Sequence, residues 1–142
     1  MELVLFNSED TDFTLSNPDP IIDWINQTVT TEKKELGPLN FIFCSDPYLH
    51  SINMEYLNHD TYTDIITFDY SELPAISGDI FISIDRVKEN AETYNTTFST
   101  ELKRVIIHGV LHLIGYKDKT DADQEQMTTK EDFYLNLAPD FH

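Results

Sequence analysis

Between Leu102 and Ile114 the chain is apolar on nearly every side of a helix, and two histidines four residues apart, His108 and His112, interrupt it. A helix that is apolar all round has to be buried at the centre of a fold. Residues four apart lie one turn above the other, so both imidazoles can point at a single ion. Buried polar rings without partners are costly, and a metal is one partner that removes the cost. Gly115 follows three residues after the second histidine, where a left-handed backbone can end the helix. The chain can then fold back and bring Asp118 to the same ion. Two ring nitrogens and one carboxylate leave a fourth position open, the pattern of a catalytic rather than a structural zinc site, with one Zn²⁺ per chain.

A missing residue narrows the chemistry. Zinc peptidases with a His-Glu-x-x-His helix use the glutamate as general base. Here that position is Gly109, so peptide hydrolysis by that route is not expected. Glycine inside a helix costs roughly 1 kcal/mol relative to alanine. Either a substrate or another element of the fold comes close to the helix there.

The rest of the chain alternates strands and helices. Leu3 to Phe6, Leu39 to Cys44, Ile65 to Tyr70 and Gly78 to Ile84 read as strands, the last with Ile80, Ile82 and Ile84 on one face. Asp19-Pro20 and Asp46-Pro47 suit helix starts. The first helix carries the stripe Ile21, Ile22, Ile25 and Val29, with Gly37 as its expected terminator. The second has Leu49, Ile52, Tyr56 and Leu57 as its expected inner side. Asp85 is the expected cap of a helix bearing Val87, Ala91 and Tyr94, and Ser99 that of the histidine helix. Asp121 to Asn136 forms a last, acidic helix. The fold class expected is α/β (α+β): one domain over residues 1–142, a small mixed four-stranded sheet packed with about five helices, the metal helix at its centre. With 142 residues such a domain can bury a core without disulfides, and the single cysteine, Cys44, reads as a core residue.

Charge constrains partners. The 26 acidic and 9 basic residues give a formal balance of −17. That disfavours nonspecific attraction to nucleic acid. Lys103, Arg104, Lys117 and Lys119, with Arg86 and Lys88, gather cations near the histidines in sequence, and the simplest reading is of solvated helix ends. Arg104 lies four residues before His108 on the same helix face, as a phosphate contact or as a partner supporting a ligand. Asp64 and Asp79 are candidate carboxylates beside the site, or turn caps. His50, His59 and His142 read as surface histidines. No signal-peptide pattern opens the chain and no run reaches membrane-spanning length, which points to the cytoplasm.

The segment His108, Gly109, Leu111, His112, Leu113, Gly115, Tyr116 resembles the signature of the YbeY family, bacterial metal-dependent endoribonucleases linked to ribosomal RNA maturation. Thr63 to Phe68 is similar to that family's Thr-Asp-Val-Leu-Ser-Phe block, Gly78-Asp79-Ile80 to its Gly-Asp-Ile, and Glu125 and Met127 to residues of its acidic helix. The resemblance runs from about Leu49 to Met127. This chain departs from the pattern in two places. Asp118 stands where the family usually has a third histidine ligand, and Leu57 where many members carry arginine. A carboxylate is an acceptable zinc ligand, so the site survives with a different charge.

The resemblance implies a zinc-dependent endoribonuclease of single-strand type, a hydrolase of ribosomal RNA maturation and ribosome quality control. Its metal ligands would be His108, His112 and Asp118, with Arg104, Asp64 and Asp79 as further catalytic candidates. The proton could move through Asp64, Asp79 or Glu125, or the substrate's 2′-hydroxyl could itself be the nucleophile. Ribosomal RNA, a small-subunit ribosomal protein, or both would be partners, without DNA specificity and without a membrane. Two alternatives stand beside this reading: a metal-dependent hydrolase of another substrate, and a ribosome-associated assembly factor with a structural metal.

Overall fold

A computed structural model describes residues 3–139. The elements in chain order are β1 (Val4–Glu9), α1 (Asp19–Thr31), β2 (Glu35–Cys44), α2 (Asp46–Leu57), β3 (Ile65–Asp69), β4 (Ala75–Ser83), α3 (Ile84–Thr93), α4 (Phe98–Ile114) and α5 (Asp121–Leu135). The sheet has the order β1-β2-β4-β3, with β1, β2 and β4 parallel and β3 antiparallel to β4. The mixed four-stranded sheet and five helices are those expected. Parallel neighbours need crossovers, and α1 supplies the one between β1 and β2.

Period-two alternation gives the sheet two different faces. Leu39, Phe41 and Phe43 of β2 and Ile76, Ile80 and Ile82 of β4 point to the main core, where α4 lies with α1, α3 and α5 around it. On the other face α2 covers Cys44, Ile66, Phe68 and Phe81 with Leu49 and Ile52. Leu102, Val105, Ile106, Ile107, Val110, Leu111, Leu113 and Ile114 of α4 are all buried. Each large aliphatic side chain of this kind contributes about 1.5–3 kcal/mol of gross transfer free energy. That anchors α4 against the sheet.

Several boundaries differ from expectation for local reasons. α1 ends at Thr31 and the turn falls on Lys33, at φ 62°, so Gly37 is not its terminator. Gly37 lies inside β2 at an irregularity of its pairing with β4, where a Cβ would sit 2.4 Å from the Ile76 carbonyl oxygen. The cap of α3 is Ser83, whose hydroxyl accepts from the Arg86 N–H at 3.1 Å, so Ile84 begins the helix instead of ending the strand and Asp85 falls in its first turn. Thr97, not Ser99, caps α4, and Thr120 and Asp123 form a reciprocal capping box on α5. Tyr56 and Leu57, expected on the inner side of α2, are exposed, and Tyr94, exposed as well, is the cap residue just past the end of α3.

Gly109 now has an explanation in packing. A Cβ there would lie 3.0 Å from Ile65 Cδ1 and 3.1 Å from Ile80 Cγ2, so α4 sits directly on the sheet at this point. A Cβ at Gly78 would be 2.4 Å from the Phe68 carbonyl oxygen. Flexible methyl ends can yield, whereas backbone cannot. Gly78→Ala is therefore expected to destabilise by about 1–3 kcal/mol. Gly109→Ala should cost clearly less, because a helix-propensity gain of about 1 kcal/mol offsets its crowding. Urea midpoints of the two variants check this, and the reverse ranking would show the packing account to be wrong.

Candidate metal centre

His108 and His112 project from one side of α4 with their rings edge to face, centroids 4.5 Å apart. The Nε2 atoms of both face Asp118 Oδ2, at 3.5 Å for His108 and 3.3 Å for His112. All three donor atoms lie within 4.8 Å of one another. Donors bound tetrahedrally at about 2.0–2.2 Å from one zinc ion are separated by about 3.3–3.6 Å. The two separations to Asp118 match that edge, so the donor set fits the metal that its chemistry suggests. Among the described residues this is the one His/Cys/Asp/Glu group so arranged.

The fold-back that brings Asp118 in begins at Gly115, whose φ of 127° and ψ of 0° suit glycine. Its N–H donates to the carbonyls of Leu111 and His112, both at 3.1 Å. The turn is then held from both sides. Gln124 Nε2 donates to the Asp118 carbonyl at 3.1 Å, and the Tyr116 hydroxyl donates to Glu32 Oε1 at 2.5 Å. Glu32 also accepts from Lys130 Nζ at 3.0 Å and from the Tyr134 hydroxyl, so one carboxylate ties α1, the turn and α5 together. Burial works against its charge, but the bonds from Tyr116, Tyr134 and Lys130 outweigh it and hold the carboxyl below its usual range.

The sequence reading missed Glu131. Its Oε2 lies 2.6 Å from His108 Nδ1, and its Oε1 accepts from Arg104 Nη1 at 2.8 Å. A carboxylate on Nδ1 leaves Nε2 as the ring's free donor atom, aimed at the group. Burial opposes the charged form of His108, yet the bond and charge of Glu131, with Asp118 and Asp64, raise its pKa above the ordinary value. A signal existed: Glu131 is a charged residue on the buried stripe of α5, between Met127 and Tyr134.

Arg104 is occupied. Besides Glu131 it donates to Asp132 Oδ1 at 2.6 Å, so it supports His108 through Glu131. Asp64 enters a cavity of about 260 Å³ that it lines with Glu101, Arg104, His108, Asp118 and Glu131. Asn90 Nδ2 donates to its Oδ2 at 3.4 Å. Burial pushes the Asp64 carboxyl up, with His108 partly opposing. Burial likewise raises Glu101, and the negative neighbours Asp64 and Glu131 add to the effect.

Asp79 is not brought to this cavity. Ile80 and Ile82 point at α4, so alternation turns Asp79 to the opposite sheet face, where it accepts from Asn40 Nδ2 at 3.0 Å. Glu125 is exposed on α5 and does not line the cavity. Lys103 is no solvated helix end either: it is buried, and its Nζ donates to the Pro139 carbonyl at 3.2 Å. Cys44 is a core residue, its thiol pushed up to about 12 by burial and then by Asp46, Asp85 and Asp10. His50 bonds to Asp60 and stacks on Tyr62, while His142 lies outside the described residues.

A family model described as Endoribonuclease YbeY matches residues 6–138. A Flavobacterium johnsoniae protein named Endoribonuclease YbeY is 55% identical over 130 residues, covering 92% of this chain and 93% of that protein. A Cytophaga hutchinsonii protein of the same name is 52% identical over 137 residues, covering 96% of each. The solution structure of a Thermotoga maritima protein superposes with a TM-score of 0.68 at 28% identity, covering 94% of this chain and 87% of that one.

Proposed function

Since the chain belongs to the YbeY family and is an endoribonuclease, we propose that it cleaves single-stranded ribosomal RNA during ribosome maturation and quality control, using one zinc ion held by His108, His112 and Asp118. The observation that carries the metal assignment is the convergence of two Nε2 atoms and one carboxylate oxygen at separations of 3.3 and 3.5 Å. When bound, such an ion supplies Lewis acidity toward the phosphoryl oxygen and the attacking nucleophile. The protein does the rest. Glu131 orients the His108 ring, and Arg104 holds Glu131. Asp64 takes the proton from the attacking oxygen, whether of water or of a 2′-hydroxyl. A carboxyl that burial holds above its usual range is suited to that exchange. Asp79, on the far face of the sheet, takes no part in this scheme.

We take residues 1–142 as one domain of this kind, acting in the cytoplasm where its substrate is made. No described helix is long and apolar enough to cross a membrane. The charge of −17 favours, as a second partner beside RNA, a basic small-subunit ribosomal protein.

Gly109 leaves the position of the peptidase base without a side chain. Purified protein is therefore expected to cut single-stranded ribosomal RNA, to stop when a chelator removes the metal, and to leave casein intact. Casein cleavage that vanishes in His108→Ala would show that the reaction class is wrong.

A further inference from the structure

We propose that Glu101 reads an RNA 2′-hydroxyl, on a neighbouring ribose of the strand being cut, and so makes the metal cavity choose RNA over DNA. This rests on the endoribonuclease reading of that cavity. Glu101 lies in the first turn of α4 and is 6% exposed, yet it lines the cavity of about 260 Å³ with Asp64, His108 and Asp118. Among the described residues no hydrogen bond or ion pair reaches its carboxyl. Arg104, three residues on, gives Nη1 to Glu131 and Nη2 to Asp132. The carboxyl oxygens are not sealed in the core either: among the described residues the one sealed side-chain atom without a partner is Arg86 Nε. They open into the cavity that Glu101 lines. A buried acceptor without a donor costs free energy until a ligand supplies one. A negative charge suits the first turn of a helix, but an exposed position would gain as much without the desolvation.

The place of Glu101 says which part of the strand it meets. It stands seven residues before His108, two helix turns and about 10 Å along the axis. An attacking hydroxyl has to lie about 3–3.5 Å from the phosphorus, so the sugar at Glu101 is another one. At about 260 Å³ the cavity is smaller than the roughly 300–1,000 Å³ of pockets that take whole ligands, so it admits part of a nucleotide. Asp64 from the segment before β3, Asp118 from the turn and Glu131 from α5 face it with negative charge, against Arg104 and His108 of α4. That surplus repels a second phosphate and suits a neutral donor. A ribose hydroxyl is such a donor, and DNA has none at the 2′ position. Burial raises the Glu101 carboxyl, and Asp64 and Glu131 add to the rise while Arg104 opposes it. Either form pairs with a hydroxyl: the carboxylate accepts from the O–H, and the acid donates to its oxygen.

Discrimination follows from the unpaired state. A site built to hydrogen-bond a substrate hydroxyl rejects the analogue that lacks it, because its own polar group is then left buried and alone. Ribose satisfies Glu101 and deoxyribose does not. The phosphates of RNA and DNA are alike, so contacts to them carry no such choice, and it falls on a contact to the sugar.

The test is a scan of single 2′-deoxy substitutions along a short single-stranded RNA, cut by the metal-loaded protein. The nucleotide 5′ of the cut stays ribose throughout, because its 2′-hydroxyl can itself be the nucleophile. At one other ribose the substitution is expected to lower the wild-type kcat/KM by about 10- to 150-fold, the loss of one hydrogen bond to a carboxyl. A 2′-fluoro group there removes the donor but not the bulk, and it should cost a similar factor. In Glu101→Ala the same substitution should cost less than about twofold, because the partner is gone. Zinc affinity of this variant should match the wild type. Glu101→Gln should melt at or above the wild-type temperature, since a buried unpaired carboxyl is costlier than an amide. Three results overturn the proposal while leaving the endoribonuclease reading intact: no position costing the wild type more than about twofold, a penalty as large in Glu101→Ala, or a Glu101→Gln protein that melts well below the wild type. If the wild type cuts no RNA, the endoribonuclease reading falls and the sugar contact with it.

Discussion

Replacing His112 by alanine is expected to lower bound metal from about one ion per chain to near zero and RNA cleavage to the level of chelator-treated protein. The size of the effect follows from the donor count. Three side chains supply the whole set, and the other carboxylates of the cavity lie outside the donor group. Asp118→Ala should lose affinity and activity together. Asp118→His should keep the metal, because a neutral ring replaces the carboxylate with another acceptable donor. It should also move the activity profile to lower pH, since the ion is then less neutralised and activates its nucleophile more strongly. Elemental analysis and a pH–rate series on the three variants check these outcomes. Wild-type metal affinity in Asp118→Ala would remove Asp118 from the ligand set. Asp123 is already engaged in the cap of α5 and is a poor substitute.

Glu131→Ala is expected to weaken metal binding by about 10- to 100-fold although Glu131 is not in the donor group. The carboxylate is buried and serves two partners, His108 Nδ1 at 2.6 Å and Arg104 Nη1 at 2.8 Å. Without it the ring loses the contact that sets its orientation, and Arg104 keeps only Asp132. Loss of the charged hydrogen bonds should also cost about 1.5–3 kcal/mol of stability. Glu131→Gln retains a polar contact to the ring and should fall between the two. Isothermal titration with zinc and urea unfolding would measure both effects. A Glu131→Ala protein that binds zinc as the wild type does would refute the orienting role.

What could be read along the chain and what could not separates by the range of the interaction. The candidate ligands were legible because the motif is local: a helix of known pitch puts His108 above His112, and a glycine three residues on allows the fold-back to Asp118. Helix starts at Asp19-Pro20 and Asp46-Pro47 and the cores of all four strands were visible for the same reason, since turn residues and apolar period act within a few positions. Caps were less certain by sequence because Ser83 and Asp85, or Thr97 and Ser99, offer equivalent chemistry a residue or two apart. Only the geometry of the first turn chooses between them.

Tertiary structure decided everything that needed two distant segments. Asp64 and Asp79 look alike in sequence. One enters the cavity and the other turns away because β4 must point Ile80 and Ile82 at α4. Gly37 suits a helix terminator by sequence, but in the fold the carbonyl of Ile76 on the neighbouring strand occupies the place of its side chain. Arg104 could be put on the ligand face of its helix, but its commitment to Glu131 and Asp132 depends on how α5 crosses α4. The sequence by itself determined that this chain has a buried helix, a three-donor group able to hold a metal and the family pattern that goes with them, because each is written in spacing. Which carboxylate meets which ring was settled only when the sheet and α5 closed around that helix, since burial pairs groups by space and not by order.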